Sequence, residues 1–191
     1  MTSPGVLDLV QAALREHFGQ PPVRASVTFL GVEPIEVLRF EPIPGEWAYL
    51  SLGMSRQPMT AASDTVVSAQ GPRAELMLHV RADDRFADAW RTLAVLAAAP
   101  AVEGVVYLPD MTVDTGQPLA AGSRCTGAVI AASAIAGIET PEGAVRIHQA
   151  LPATSTELAW SRVHGTPQLR ERWTQHGTDL LDLARGAVPL D

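Results

Sequence analysis

Residues 73–100, RAELMLHVRADDRFADAWRTLAVLAAAP, carry the clearest indication of the fold class. Its first part, 73–80, alternates between two faces, which predicts a β-strand. Leu76, Leu78 and Val80 lie on one face, and Glu75, Met77 and His79 lie on the other. Asp83 or Asp84 is then placed to cap a helix over 84–99, and Pro100 is expected to end it. A strand followed directly by a helix indicates a protein in which a sheet packs against helices.

Before this segment, a helix is expected at 4–18, with Ser3 as its cap, followed by strands at 25–31 and 35–40 and from 47 to Gly53. Weaker strands are predicted near 104–108, 112–115 and 126–136, and a clearer one at 144–151. Thr154 and Glu157 have the spacing of a capping box, so helical structure is expected over 154–185. The sequence therefore predicts a single α+β domain, 1–191, with a central mixed, largely antiparallel sheet packed with helices.

Charge and cysteine content limit the function classes. The net charge is −7, and all 14 basic residues are arginine. This acidic balance disfavours binding to nucleic acid or to an anionic membrane. Cys125 is the one cysteine, so no internal disulfide is available, and no apolar stretch approaches the ~20 residues of a membrane helix. Asp8 and the lack of a basic segment near residue 1 argue against a signal peptide, so we expect a cytoplasmic location.

Two side chains invite comparison with catalytic nucleophiles. Ser55 follows a predicted strand and a glycine, but Gln57 stands where a nucleophile elbow has its second glycine. Cys125 lies in an apolar segment and has no evident base. The enzyme alternative is a small hydrolase that uses Ser55 or Cys125 with a histidine, and it requires a histidine within hydrogen-bond reach of either side chain.

The tripeptide His-Gly-Thr occurs twice, at 164–166 and 176–178. Two histidines are too few for a metal site, whereas Gly165 and Gly177 suit the left-handed residue that ends a helix. Asp110 and Asp114 are interpreted as the solvated side chains of one loop. No metal site and no cofactor site are predicted.

Six segments together resemble the Suppressor of fused family over about residues 5–186. In chain order they are EPIEVLRF (33–40), EWAYLSLGMS (46–55), GPRAELMLHVR (71–81), FADAWRTLAVLA (86–97), LPDMTV (108–113) and TPEGAVRIHQALPATSTELAWSRVHGTPQL (140–169). The order and spacing of these segments carry the resemblance, since no single one of them is specific.

The resemblance implies a non-catalytic protein-binding module. The animal member of the family holds a peptide of a transcription factor, partly by adding it as a strand, and bacterial relatives are proposed immunity proteins that neutralise polymorphic toxins. The expected partner is therefore another protein, such as a toxin domain. The identity of that partner and the oligomeric state are left open.

The partner-binding surface is predicted around the long polar loop 54–72, with Asp110 beside it. The contact residues are Met54, Ser55, Arg56, Met59 and Asp110. Exposed methionines would supply adaptable apolar contacts, and Asp110 matches the family's turn aspartate. The alternative is that both methionines are core residues and that Asp110 only stabilises its own turn.

Overall fold

The computed structural model describes residues 4–29, 31–64 and 68–191. The helices are α1 (Val6–Phe18), α2 (Ala89–Glu103), α3 (Ser155–His164) and α4 (Thr166–Gln175). The strands are β1 (Val23–Phe29), β2 (Val32–Phe40), β3 (Glu46–Leu52), β4 (Arg73–Arg81), β5 (Thr112–Asp114), β6 (Cys125–Ala132) and β7 (Val145–Thr154). Short 3-10 turns at Met54–Arg56 and Asp84–Phe86 follow β3 and β4.

All of these strands belong to one seven-stranded sheet, in the order β1-β2-β3-β4-β7-β6-β5. Every neighbouring pair is antiparallel except β4 and β7, which run parallel with Arg73 opposite Val145. The α+β class with a mixed, largely antiparallel sheet is thereby confirmed.

Strand β4 is buried on both faces, because an apolar cluster packs against each face of the sheet at this strand. Leu76 and Leu78 belong to an apolar cluster that includes Leu93 of α2. Met77 points to the opposite face, where Leu14 of α1 packs. The predicted alternation is therefore correct, and each face of the sheet has its own helix.

A third cluster joins α3 and α4 to the outer part of the sheet. Leu158, Leu169 and Trp173 pack against Val129 of β6. The predicted capping box is present: the Thr154 hydroxyl accepts from the Glu157 N–H, and the Glu157 carboxylate accepts from the Thr154 N–H at 2.8 Å. This reciprocal cap fixes where β7 ends and α3 begins.

The expectation that Pro100 ends the second helix was wrong, since α2 continues to Glu103 with Pro100 inside it. A proline has no N–H with which to bond the carbonyl four residues earlier, here that of Leu96. The Tyr107 hydroxyl donates to that carbonyl instead, at 2.8 Å. A side chain from beyond the helix thus replaces the missing backbone hydrogen bond.

Other boundaries also differ from the predictions. Residues 104–108 form no strand, and the helical structure predicted over 154–185 ends at Gln175. Gly165 has φ 96° and ψ 150°, which is not the left-handed helical conformation expected there. The predicted cap Ser3 lies outside the described residues, and Gly5 precedes α1 with its N–H bonded to Asp8. Among the described residues, no helix combines the length and the apolar character needed to cross a membrane.

Candidate partner-binding site

The residues predicted on the exposed loop after β3 are mostly buried. Met54 is 6 % exposed, Met59 is 4 % exposed, and Ser55 has no exposed surface. Both methionines belong to the apolar cluster formed with α2. Of the two alternatives for these methionines, the second is correct: the chain after β3 packs under α2, and both are core side chains.

Ser55 is held by a buried carboxylate. Glu75 of β4 accepts from the Ser55 hydroxyl at 2.6 Å and from the Ser55 N–H at 3.0 Å. It also accepts from the Gly53 N–H at 2.9 Å and from the Ser51 hydroxyl. Gly53 has φ 142°, a conformation that favours glycine, so this turn is shaped around the carboxylate.

Arg73 fixes the same turn from its other side. Its guanidinium donates to the carbonyls of Ser55 and Arg56, at 2.9 and 2.8 Å, and pairs with Glu142 at 3.1 Å. Of the four predicted contact residues in this loop, Arg56 alone reaches the surface, where it pairs with Glu33 at 2.7 Å. The turn is thus part of the core, with one partly exposed cation.

Neither proposed nucleophile has the surroundings of a catalytic group. Cys125 is fully buried, and that burial raises the pKa of its thiol to about 11. Ser55 is inaccessible to a substrate, and its hydroxyl is bonded to Glu75. Within the described part of the chain, no histidine is hydrogen-bonded to either side chain, so the geometry gives the hydrolase alternative no support.

The repeated histidines also lie apart from any ligand set. His164 ends α3 and stacks on Trp160 at 4.2 Å, while His176 follows α4. No cluster of three or more potential metal ligands is found in the ranges 4–29, 31–64 and 68–191.

Asp110 occupies an unusual turn just before β5. It has φ 68° and is the one non-glycine residue with positive φ among the described residues. Aspartate tolerates this conformation better than most side chains. Its carboxylate lies 3.4 Å from Arg170 of α4, and both side chains are about half exposed. Leu108, two residues earlier, is also exposed, so an apolar side chain and a carboxylate share this surface.

Strand β5, which starts two residues after Asp110, is an edge of the sheet. The Thr115 N–H donates to the Thr126 carbonyl, and the Met111 carbonyl accepts from the Ile130 N–H. Thr126 and Ile130 both lie on β6. Hydrogen bonding alternates along an antiparallel pair, so the N–H groups of Thr112 and Asp114 point away from β6. An extended segment of another chain could bond to them.

A groove of about 360 Å³ adjoins the Asp110 turn. It is lined in part by Pro109, Ser133, Arg146 and His148. His148 is 8 % exposed, and burial, together with Arg146, lowers its pKa, so the imidazole is neutral near pH 7. The groove thus offers an uncharged ring beside an exposed cation.

The turn at Met54–Arg56 and Asp110 do not form one patch. The turn is tied to β4 through Glu75, whereas Asp110 precedes β5, and β7 and β6 lie between these strands. At ~4.8 Å per strand, β4 and β5 are about 14 Å apart. The prediction placed Asp110 beside the loop 54–72: the Met54–Arg56 part of that loop is separated from Asp110, whereas Ala62 of the same loop bonds Gly104, six residues before Asp110. The order of the strands in the sheet, which separates β4 from β5, could not be predicted from the local sequence.

Comparison with known proteins agrees with this architecture. The family model described as Suppressor of fused protein (SUFU) matches residues 31–186. The chain therefore belongs to the Suppressor of fused family, a non-catalytic protein-binding family. No match was found among curated proteins.

Three solved structures share the fold. A SUFU homolog from Neisseria gonorrhoeae FA 1090 has a TM-score of 0.70 and 18 % identity, over 96 % of this chain and 96 % of that one. The Sufu-Fu complex has a TM-score of 0.69 and 15 % identity, over 94 % of this chain and 86 % of that one. Drosophila Suppressor of Fused has a TM-score of 0.66 and 16 % identity, over 95 % of this chain and 50 % of that one.

Proposed function

We propose that this protein is a non-catalytic binding module that captures an extended segment of another protein along the free edge of β5, next to Asp110. The observation that carries the proposal is the combination of a β5 edge that pairs with no other strand of the described residues and, beside it, the exposed carboxylate of Asp110, whose backbone has positive φ. The Sufu-Fu complex among its structural neighbours supports protein binding as the function class. Strand addition uses main-chain hydrogen bonds for affinity and side-chain pockets for specificity.

The groove beside Asp110 supplies the specificity in this proposal. A side chain of the added segment would enter between Pro109 and Arg146, over the neutral ring of His148. Arg56 has a partly exposed side chain, and we propose it as a peripheral contact. Met54, Ser55 and Met59 would contribute only by holding the shape of its turn.

The finer proposal is an immunity protein that neutralises a toxin domain. A net charge of −7 favours a basic partner, because opposite net charges accelerate association and disfavour like-charged competitors. We further propose that residues 1–191 act as one domain in the cytoplasm. The single sheet and the buried free thiol of Cys125 support these two points.

The test begins with affinity purification of partners from the native cell extract, followed by calorimetric titration of the purified partner. Asp110→Asn keeps a residue tolerated at positive φ but removes the charge, and it is expected to cost about 2–5 kcal/mol of binding if the carboxylate is buried in the complex. Thr112→Pro removes one outward N–H and is expected to abolish strand addition.

Glu16→Gln is the matched control, since it removes one charge from the exposed face of α1. Its affinity should equal that of the wild type. Thermal unfolding of each variant separates lost binding from lost folding. Wild-type affinity in both Asp110→Asn and Thr112→Pro would exclude the β5 edge as the binding site.

A further inference from the structure

A small cavity lies at the opposite edge of the sheet from β5, between β1 and the beginning of α2. Its volume is about 110 Å³. Its walls are mostly apolar, with Val23, Ala25, Val37, Ala87 and Trp90 among the lining residues. Drug-sized ligands typically occupy ~300–1,000 Å³, so this cavity suits a much smaller group.

Two polar side chains face this apolar space from the sheet. In the strand register, Val23 pairs with Arg39, Arg39 with Tyr49, and Tyr49 with Leu78. Directly paired residues point to the same face of a sheet, and Leu78 packs under α2. Arg39 and Tyr49 therefore project side by side toward the helix that closes the cavity.

Arg39 is half-buried and lacks an ion-pair partner within the ranges that the structure describes. Its guanidinium lies over the Trp47 ring, 4.7 Å from the centroid. Stacking uses the flat face of the guanidinium and leaves its N–H donors, which lie in the plane, available for an acceptor. Arg24 also lines the cavity, but its charge is paired with Glu36 at 3.0 Å.

Tyr49 is 2 % exposed, and its hydroxyl proton has no acceptor among the described residues. Burial raises the pKa of this phenol, and Arg39 opposes that shift through its charge and through a contact of its guanidinium with the hydroxyl oxygen. A buried hydroxyl proton without an acceptor is rare, so this phenol, which lines a cavity next to a guanidinium that has no counterion, indicates a ligand.

We propose that this cavity binds a singly charged carboxylate carried on a short apolar group, with Arg39 and the Tyr49 hydroxyl donating to its oxygens. Arg39 supplies the charge, and the walls formed by Val37 and Trp90 accept the apolar group. Asp84 and Asp88 lie near enough to act on the Tyr49 hydroxyl, and their charges repel a doubly charged anion such as phosphate more strongly than a singly charged carboxylate.

The test is a titration of the ¹⁵N-labelled protein with butyrate, monitored at the Trp90 indole N–H and the Arg39 Nε–H by NMR. Saturable shifts at both groups are expected with millimolar butyrate, and none with butyramide or inorganic phosphate. A peptide ending in valine, with a free or an amidated carboxyl group, distinguishes a free acid from the C-terminus of a polypeptide. Binding of butyrate, or of the free-acid peptide only, supports the carboxylate site.

Arg39→Gln is expected to weaken binding about tenfold or more, because a charged hydrogen bond is lost. Tyr49→Phe is expected to weaken it about two- to tenfold, and it preserves the shape of the core. Arg15→Gln is the matched control and should keep the wild-type affinity, because it removes one exposed charge from α1, which packs on the opposite face of the sheet. The proposal is overturned if no acid saturates the site, if butyramide or phosphate binds as well as butyrate, or if Tyr49→Phe and Arg39→Gln both bind like the wild type.

Discussion

Glu157 and Arg185 form a buried, two-pronged ion pair between α3 and the chain that follows α4. The Nη1–Oε1 and Nη2–Oε2 distances are 2.7 and 2.9 Å, and neither side chain is more than 7 % exposed. The same carboxylate accepts from the Trp173 indole at 2.9 Å and from the Val188 N–H at 3.0 Å. The Glu157 carboxylate thus connects the beginning of α3, helix α4 and the segment that follows α4.

Glu157→Gln is expected to lower the free energy of unfolding by about 3–5 kcal/mol, because it leaves the buried guanidinium of Arg185 without its counterion. Urea denaturation followed by circular dichroism measures the change. Asp179→Asn is the control: it breaks the exposed pair with Arg81 and should cost about 1 kcal/mol or less. An equal decrease in the free energy of unfolding in the two variants would show that the buried ion pair of Glu157 stabilises the protein no more than the exposed pair of Asp179 does.

The same carboxylate is expected to make stability fall at acidic pH. Burial alone would raise the pKa of Glu157, but hydrogen bonds from Arg185 and from the N–H groups of Thr154 and Val188 outweigh it and lower the pKa. A lowered pKa in the folded state contributes stability above the unfolded value, and this is lost as the pH falls through the folded value. Urea denaturation between neutral and acidic pH should show the loss, and Glu157→Gln should flatten it. An equally steep loss in Glu157→Gln would assign it to other carboxylates.

Met59→Ala tests whether the segment after β3 belongs to the core. Truncation of a buried methionine is expected to cost about 2–5 kcal/mol of folding stability, because it removes packing against α2 and leaves a cavity. Met59→Leu is the matched control, since it nearly conserves volume and should cost less than about 1.5 kcal/mol. Stability unchanged in Met59→Ala, combined with weakened partner binding, would restore this loop as an exposed binding surface.

Pro100 and Tyr107 are expected to be energetically coupled. Tyr107→Phe leaves the Leu96 carbonyl without its donor and should cost about 1–3 kcal/mol. In a Pro100→Ala background the new N–H at 100 reaches the same carbonyl, so Tyr107→Phe should then cost less. A double-mutant cycle in urea measures the difference. Additive losses would mean that the hydroxyl does not compensate for the proline.

Features set by neighbouring residues were predictable from the sequence. The capping box at Thr154 and Glu157 and the alternation around Leu78 depend on spacings of two to three residues, and both are confirmed. The partner of Glu157 was not predictable, because Arg185 is 28 residues away and only the folded chain brings them together.

The candidate site was harder to predict for the same reason. The polar composition of 54–72 indicated a surface loop, yet Met54 and Met59 are buried because α2 covers them. Arg39 and Tyr49 gave no signal as a pair, since they lie on different strands and meet only through the register of β2 and β3. Asp110 was found through resemblance to a family motif, and its positive φ was not visible in the sequence.

The one parallel pair in the sheet affects how the protein is made. Strands β1 to β4 follow each other as neighbours, so they can assemble as the chain leaves the ribosome. Strand β7, which pairs with β4, is synthesised about 70 residues later and must occupy the middle of the sheet. Until then the edge of β4, with Leu76 and Leu78, has no neighbour. We therefore expect the nascent chain, rather than the finished protein, to be the aggregation-prone species that needs a chaperone.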